Sequence, residues 1–596
     1  MLTLCGAFTA WYRAFASLAN YDDEGYMMWT VKNFLGGQAL YDQVATVYGP
    51  FYYLYEWCAL TVTGAPVAAD SVRWVSIAFW VAAALIAFLL AYRATGSLVL
   101  AACVHVLAFR AMEFIGKEPA HPQEACIFLL LALGHVFYIA NRTLRMILMG
   151  VLTGAMAASK INLGIFVAVA LTVGLTFAQP PGRRRSAACV AVSLGALALP
   201  AVLMWDLRAE TWAVSFCTLV VLSLASVLLT VWRMPWKGGL VPRDAVVAAS
   251  AFAGTVAAIC SFPLARASTF HNLLEWLIVI PRTTYGQSWA QPANIYSSAL
   301  VWAVVGLVFA CFAGQRRVGD QWLALLKLAF GTAVLVMCAT DRYGVVLNFA
   351  TPFLWLVAAP PANTGTEPRY TQARALLGLL GVLQVLYAYP VAGSQVPFVA
   401  VFMIAVAGIC FWDGLWWMRN RFEARANRTR TWLPTAVQVT AALLIAGFNL
   451  SFAQEARRNY ESLSTLNFPG AAHVRVEPQR AAMLRAIVSR INSSCGTLVT
   501  EPGLFSFHLW TGKPTPPGLE HQVWMSLLDD ATQNALVREI ARDPRACVVY
   551  QQDVVDLWTH RTDVSAKPLV RFIRENFETV LEGYGYRLMM PARFTN

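Results

Sequence analysis

Apolar stretches of 17 to 25 residues recur from the amino terminus to about residue 453. A helix needs about 20 apolar residues to cross a hydrocarbon core about 30 Å thick, so each stretch is long enough to span a bilayer. Helices that are apolar all round would need a partner on every face in a water-soluble fold. Composition argues against that. Of the 596 residues 58% are hydrophobic and 13% charged, where a soluble chain has about 25% charged. The reading is an α-helical polytopic membrane protein, with about 13 to 15 transmembrane helices over residues 1–453. A small C-terminal α/β extracytoplasmic domain follows over residues 454–596.

Spans are expected near 70–93, 97–113, 124–140, 145–159, 161–177, 187–205, 211–232, 244–263, 297–313, 321–339, 345–359, 375–392, 396–417 and 434–453. Residues 2–19, apolar except for Arg13, make a short first helix with no basic leader and no cleavage site, so no cleaved signal is expected. Residues 51–64 are aromatic-rich, and about 14 residues cover about 21 Å, too little to span. They are read as an interfacial helix. The basic residues form short clusters between spans: Arg142 and Arg145; Arg183 to Arg185; Arg233, Lys237 and Arg243; Arg316 and Arg317; Arg369 and Arg374; and the run from Arg419 to Arg430. Such clusters mark the cytosolic side. Two helices fit between successive clusters, which leaves 21–50, 110–123, 266–296, 341–343 and everything after about 454 outside. The net charge of +12 is spread over these clusters, so no nucleic-acid partner is expected.

The last 140 or so residues regain charge, and their apolar runs shorten to strand length at 497–500, 547–550 and 580–590. Amphipathic helices are expected near 478–493, 524–542 and 567–577. Most of the 12 cysteines lie inside apolar stretches and read as small core residues. Cys495 and Cys547 each open an expected strand, and a disulfide between them is one reading in an oxidising compartment.

The first outside loop carries the most chemistry. It reads Tyr21-Asp22-Asp23-Glu24-Gly25-Tyr26, then an amphipathic turn with Met27, Met28, Val31, Phe34 and Leu35, then Gly36-Gly37, Leu40-Tyr41-Asp42 and Tyr48-Gly49-Pro50. An acid held at the lipid interface can act as a general base on an attacking hydroxyl. The plainer reading is an acidic N-cap, with Asp22 or Asp23 capping the following helix.

The order Asp-Glu, amphipathic segment, Gly, Leu-Tyr-Asp, Tyr-Gly-Pro resembles the first external loop of the GT-C membrane glycosyltransferases. The protein O-mannosyltransferases and lipid A aminoarabinose transferases are the most similar groups. The resemblance implies two surface helices in that loop and a polyprenyl-phosphate-linked sugar donor. It implies an aspartate base, a role that falls on Asp23, with Glu24 beside it and Asp22 as a near neighbour.

In the second outside loop the resemblance implies a further acid just before the fourth helix. Glu124 stands there, with Glu118 as its rival, although an aspartate is more usual. Either would orient the sugar or assist the base. His121 with Glu118 and Glu124 could also bind a metal, but a spacing of three and three around two prolines is weak evidence. The expectation is no required metal and no cofactor.

Lys160, in Ala157-Ala158-Ser159-Lys160-Ile161-Asn162, interrupts an apolar stretch running from Met146 to Phe177. A charge at mid-membrane costs roughly 2.5–3.5 kcal/mol on insertion scales. Two helices meeting at Lys160 would instead place it at their outer junction. There it suits a carrier phosphate as a point charge, or simply snorkels. The family has a similar Ser/Thr-Lys at this junction. Arg282 and Arg342, in outside loops, are further candidates for that phosphate, whose growing negative charge as a leaving group needs a cation.

The resulting expectation is an inverting transfer of a sugar from a polyprenyl-phosphate donor to a hydroxyl of a glycan, lipid or protein. It would occur on the outer face of a membrane, with the bacterial inner membrane as the setting. Inversion is implied by the resemblance alone. The alternative is a secondary transporter, which would place ionisable residues at the midplane of two repeated halves. No repeat is visible, and the acids cluster outside.

Overall fold

The structure is a computed structural model that describes residues 2–234, 236, 241–285, 291–314, 319–359, 368–425, 432–559 and 562–592. Lys237, Arg316, Arg317, Arg428 and Arg430 of the basic clusters lie outside the described residues.

Among the described residues eight helices are long and apolar enough to cross a membrane: Ala69–Thr95, Arg183–Leu203, Thr211–Arg233, Pro242–Leu264, Asp320–Ala339, Tyr370–Ala388, Gln395–Arg421 and Gln438–Ser462. Five shorter apolar helices join them: Leu98–Met112, Gln123–Val136, Ile161–Phe177, Ser297–Ala313 and Tyr343–Ala358. The protein is thus a polytopic helical membrane protein. Tyr370–Ala388 and Gln395–Arg421 are 94% and 83% buried and form the centre of the bundle, whereas Arg183–Leu203 and Pro242–Leu264, at 17% and 11%, form its rim.

The first eight helices are α1 (Leu2–Phe15), α2 (Asp23–Leu35), α3 (Pro50–Thr63), α4 (Ala69–Thr95), α5 (Leu98–Met112), α6 (Gln123–Val136), α7 (Arg142–Ala157) and α8 (Ile161–Phe177). The two short helices expected in the first loop are α2 and α3. Pro50 starts α3 with its φ already set, and Gly64, at φ 65°, ends it in the left-handed region. The loop is tied to the bundle by a buried ion pair. Arg73 of α4 donates from Nε and Nη2 to both oxygens of Glu24, at 2.7 and 2.6 Å, and from Nη1 to the Ala14 carbonyl at 2.6 Å. A second buried cluster lies inside the bundle, where Lys327 and Arg374 both donate to Asp413. It ties Asp320–Ala339 and Pro368–Val385 to Gln395–Arg425.

The last apolar helix, expected over 434–453, runs from Trp432 to Ser462 and carries its charged end beyond the apolar stretch. The C-terminal unit that follows holds a short ladder, β1 (Ser464–Thr465) with β2 (Arg475–Val476), and a four-stranded sheet. That sheet contains β3 (Leu498–Glu501), β4 (Cys547–Gln551), β5 (Phe577–Gly583) and β6 (Tyr586–Pro591), in the order β3-β4-β6-β5. β3 and β4 are parallel, and the β6 pairings are antiparallel. Cys495 and Cys547 are joined in a disulfide, with Cα atoms 5.6 Å apart.

Two expectations need correction here. Residues 580–590 are not one strand but a hairpin, because Tyr584 and Gly585 both take positive φ and form its turn. The helix expected over 524–542 breaks after Leu527, and Asp529 caps a new helix by accepting from the Thr532 N–H.

Candidate active site

One end of the helical bundle and the C-terminal unit line a cavity of about 1360 Å³. Asp23, Glu118, His121, Lys160 and Arg282 line it, with Gln522 and Trp558 from the C-terminal unit. Apolar residues, among them Val202, Leu203, Leu277 and Ile278, also line it.

Asp23 is the first residue of α2, placed there by Asp22, whose left-handed φ of 54° turns the chain into the helix. Asp22 itself faces the C-terminal unit. Its carboxylate accepts from the Ser506 N–H at 2.8 Å and from the Ser506 hydroxyl. Gly25 permits this contact, since a Cβ there would lie 2.4 Å from Asp22 Oδ2 and 2.5 Å from Ser506 N. Asp23 then points to the cavity, and Oδ1 accepts from Gln522 Nε2 at 2.7 Å. Burial, with the negative charge of Glu118 next, pushes the Asp23 carboxyl up to about 7.

Glu118 comes from the turn between α5 and α6. Its Oε1 accepts from the Tyr21 hydroxyl at 2.6 Å and its Oε2 from the Ser394 hydroxyl at 2.9 Å. Burial raises its carboxyl above the usual range, against the lowering effect of these bonds. His121, three residues on, pairs through Nε2 with the Tyr48 hydroxyl at 2.9 Å. Its Nδ1 is buried and has no hydrogen-bond partner among the described residues. Burial, aided by Lys160, holds the imidazole well below its ordinary value, so it is neutral.

Lys160 sits between α7 and α8, at the junction expected for it. Its ammonium donates to the Tyr387 hydroxyl at 2.7 Å and lies over the rings of Tyr48 and Tyr387, at 5.4 and 5.2 Å. The first loop sets this turn in place. The Gly49 and Phe51 N–H groups donate to the Ser159 and Ala158 carbonyls, both at 2.9 Å. A Cβ on Gly49 would lie 2.0 Å from the Ala158 oxygen, so only glycine allows the approach.

Asp23, Glu118 and His121 converge. One ligand atom from each lies within 4.8 Å of the others. Two carboxyl groups and the neutral imidazole of His121 form a donor set that suits a divalent cation. This trio is not the one that spacing suggested, because Asp23 stands in the place of Glu124.

Four other expected residues lie elsewhere. Glu24 is held by Arg73 and does not line the cavity. Asp22 caps the contact with Ser506 and does not line it either. Glu124, in the first turn of α6, is buried, and neither of its side-chain oxygens has a hydrogen-bond partner among the described residues. Arg342 is exposed outside the cavity, while its neighbours Asp341 and Tyr343 line it. Asp341 is in turn bound by Arg110. Sequence reasoning missed Tyr21, Ser394 and Gln522. Gln522 is 499 positions from Asp23, and nothing local marks it.

No protein-family model matches the sequence, and no curated protein matches it. Among solved structures, the chain is similar to ArnT from Cupriavidus metallidurans bound to undecaprenyl phosphate. The identity is 10% and the TM-score 0.48, covering 99% of this chain and 97% of that one. It is also similar to the archaeal oligosaccharyltransferase AglB from Archaeoglobus fulgidus in complex with an inhibitory peptide and a dolichol-phosphate. There the identity is 10% and the TM-score 0.41, covering 100% of this chain and 74% of that one. These similar structures are GT-C glycosyltransferases. At this degree of similarity the reaction has to be argued from the residues.

Proposed function

We propose that the protein is a membrane glycosyltransferase that moves a sugar from a polyprenyl-phosphate donor to an acceptor hydroxyl. The observation that carries this reading is the meeting, in one cavity, of acids from two external loops with a lysine at a membrane-level helix junction: Asp23, Glu118 and Lys160. A general base needs a carboxylate facing open space, and a lipid phosphate needs a cation beside an apolar wall. This cavity offers both.

In this reading the prenyl chain lies along the apolar side, near Val202, Leu203, Leu277 and Ile278. Lys160 and Arg282 hold its phosphate. Asp23 takes the proton of the acceptor hydroxyl as that oxygen bonds to the anomeric carbon. The bond from that carbon to the phosphate oxygen breaks, and its electron pair leaves with the carrier phosphate, whose charge Lys160 offsets. Attack opposite the leaving group inverts the anomeric centre. Glu118, held by Tyr21 and Ser394, orients the sugar or the acceptor. If a divalent cation binds, Asp23, Glu118 and His121 would hold it, and it would supply positive charge beside the phosphate.

We place residues 1–453 as the transferase module and 454–596 as a unit on the extracytoplasmic face. The Cys495–Cys547 disulfide supports that side, because such bonds persist in oxidising compartments. A bacterial inner membrane fits the same observation.

The test is transfer from a panel of radiolabelled polyprenyl-phosphate sugars by the detergent-purified protein, with Asp23→Asn alongside. Label in product with wild type alone supports the class and the base. Equal turnover by both proteins moves the base to another acid. A folded wild type that neither binds nor turns over any donor overturns the reading in favour of transport.

A further inference from the structure

The geometry points to Gln522, in the C-terminal unit, as a positioning residue that fixes the carboxylate of Asp23 for the transfer. The inference rests on the reading of Asp23 as the base.

Gln522 is buried, and its amide makes two bonds to the first loop. Nε2 donates to Asp23 Oδ1 at 2.7 Å and to the Tyr21 carbonyl at 3.2 Å. The orientation of the amide follows from its partners. A main-chain carbonyl only accepts and a carboxylate accepts, so the NH₂ must face both. One donor group therefore bridges the backbone just before the base and the base itself. With Oδ1 engaged, Oδ2 of Asp23 meets no hydrogen-bond donor among the described residues, and Asp23 lines the cavity.

The bridge is held from behind. The Gln522 carbonyl accepts from the Gly503 N–H at 2.9 Å, and the adjoining Trp524 donates from Nε1 to the Thr500 carbonyl at 2.9 Å. Both bonds anchor the segment to β3 and its exit. On the other side, His521 packs against Tyr26 and stacks on Trp276, with ring centroids 5.4 and 5.7 Å apart. Asp22 and Ser506 form a second tie between the same two elements. The sheet of the C-terminal unit is thus connected to the base through a segment held by these bonds and ring contacts, and the unit completes the site as well as covering it. Rigid support of this kind decides whether a base sits in an attacking geometry.

The experiment uses the full chain in detergent with a panel of undecaprenyl-phosphate sugars and compares Gln522→Met, Gln522→Ala and Gln522→Glu. Methionine keeps the length and the burial but has no donor. A positioning role predicts that Met and Ala both lower kcat by about ten- to a hundredfold with the donor KM within about twofold. It predicts that Glu lowers kcat further. A packing role predicts that Met behaves as wild type, and that result overturns the inference. A parallel measurement needs no turnover. Carbodiimide coupling of an amine to Asp23, followed by peptide mass spectrometry, should be faster in Gln522→Met than in wild type, with unchanged thermal unfolding. If wild type turns over no donor, the functional reading falls while the labelling still decides the clamp. Equal labelling of wild type and Gln522→Met overturns it.

Discussion

The hydroxyl of Tyr21 donates to Glu118 Oε1 at 2.6 Å, so the residue that precedes the two loop-one aspartates holds the acid of the second loop. Two segments 97 positions apart are joined at the floor of the cavity. Removing the hydroxyl should loosen Glu118 without unfolding the loop. Tyr21→Phe is expected to lower kcat/KM for transfer about fivefold to tenfold, from a charge-assisted bond contributing about 1–1.5 kcal/mol. Glu118→Gln should cost more than Tyr21→Phe. Initial rates with one donor and one acceptor would check the order.

The pH profile has a defined sign. The Asp23 carboxyl is raised to about 7, chiefly by burial and then by Glu118. A base works in its ionised form, so activity should fall as pH drops through about 7. Replacing Glu118 by Gln removes a negative neighbour, and the acidic limb should then move to lower pH. Profiles of kcat/KM for wild type and Glu118→Gln would show whether it does.

Chelation offers a separate reading of the trio. If Asp23, Glu118 and His121 hold a divalent cation, EDTA should lower transfer and added Mn²⁺ or Mg²⁺ should restore it. The same cation would lower the pH limb, since a bound positive charge favours carboxylate. His121→Ala should weaken metal dependence more than it alters donor binding. Titration of activity against free metal separates the two effects.

The Arg73–Glu24 pair is fully buried, and either partner alone would leave an unpaired charge inside the fold. Arg73→Met or Glu24→Gln is expected to destabilise by about 3–5 kcal/mol, whereas Arg73→Met combined with Glu24→Leu should recover much of the loss. Thermal unfolding in one detergent at one pH would measure this. The double variant should also retain transfer, because neither residue lines the cavity.

Gly49→Ala should act on Lys160 from a distance. The added methyl meets the Ala158 carbonyl and must push the 158–160 turn away from α3. Binding of undecaprenyl phosphate is expected to weaken, with less effect on any step that Asp23 performs. Equilibrium binding of the labelled lipid phosphate checks the first point, and kcat at saturating donor the second.

The helical bundle was legible in the sequence because a bilayer demands about 20 apolar residues for each crossing, and that demand is written locally along the chain. The helix α3 was legible for the converse reason, being too short to cross; α2 was expected as an amphipathic turn on the membrane surface, but it is buried on nearly every face. Lys160 stood out because a charge inside an apolar run is costly unless the chain breaks there, and the break between α7 and α8 is where it sits. Asp23, Glu118 and His121 were each visible as loop residues. Their convergence was not, and spacing suggested Glu124 in place of Asp23. Spacing orders residues along one segment and says nothing about the distance between two loops.

Sequence by itself determined that this chain crosses a membrane many times, that acids gather in the loops between its first helices, and that a mixed α/β unit follows. Tertiary structure decided which acids face open space. Asp22 turned to Ser506, Glu24 to Arg73 and Asp23 to the cavity, although the three are consecutive. Asp22 lies before the helix in the left-handed region, and within the helix Glu24 is rotated by about 100° from Asp23, so neighbours in sequence meet different partners. Those partners come from α4 and from a unit more than 450 residues away, and only the packed fold brings them within bonding distance.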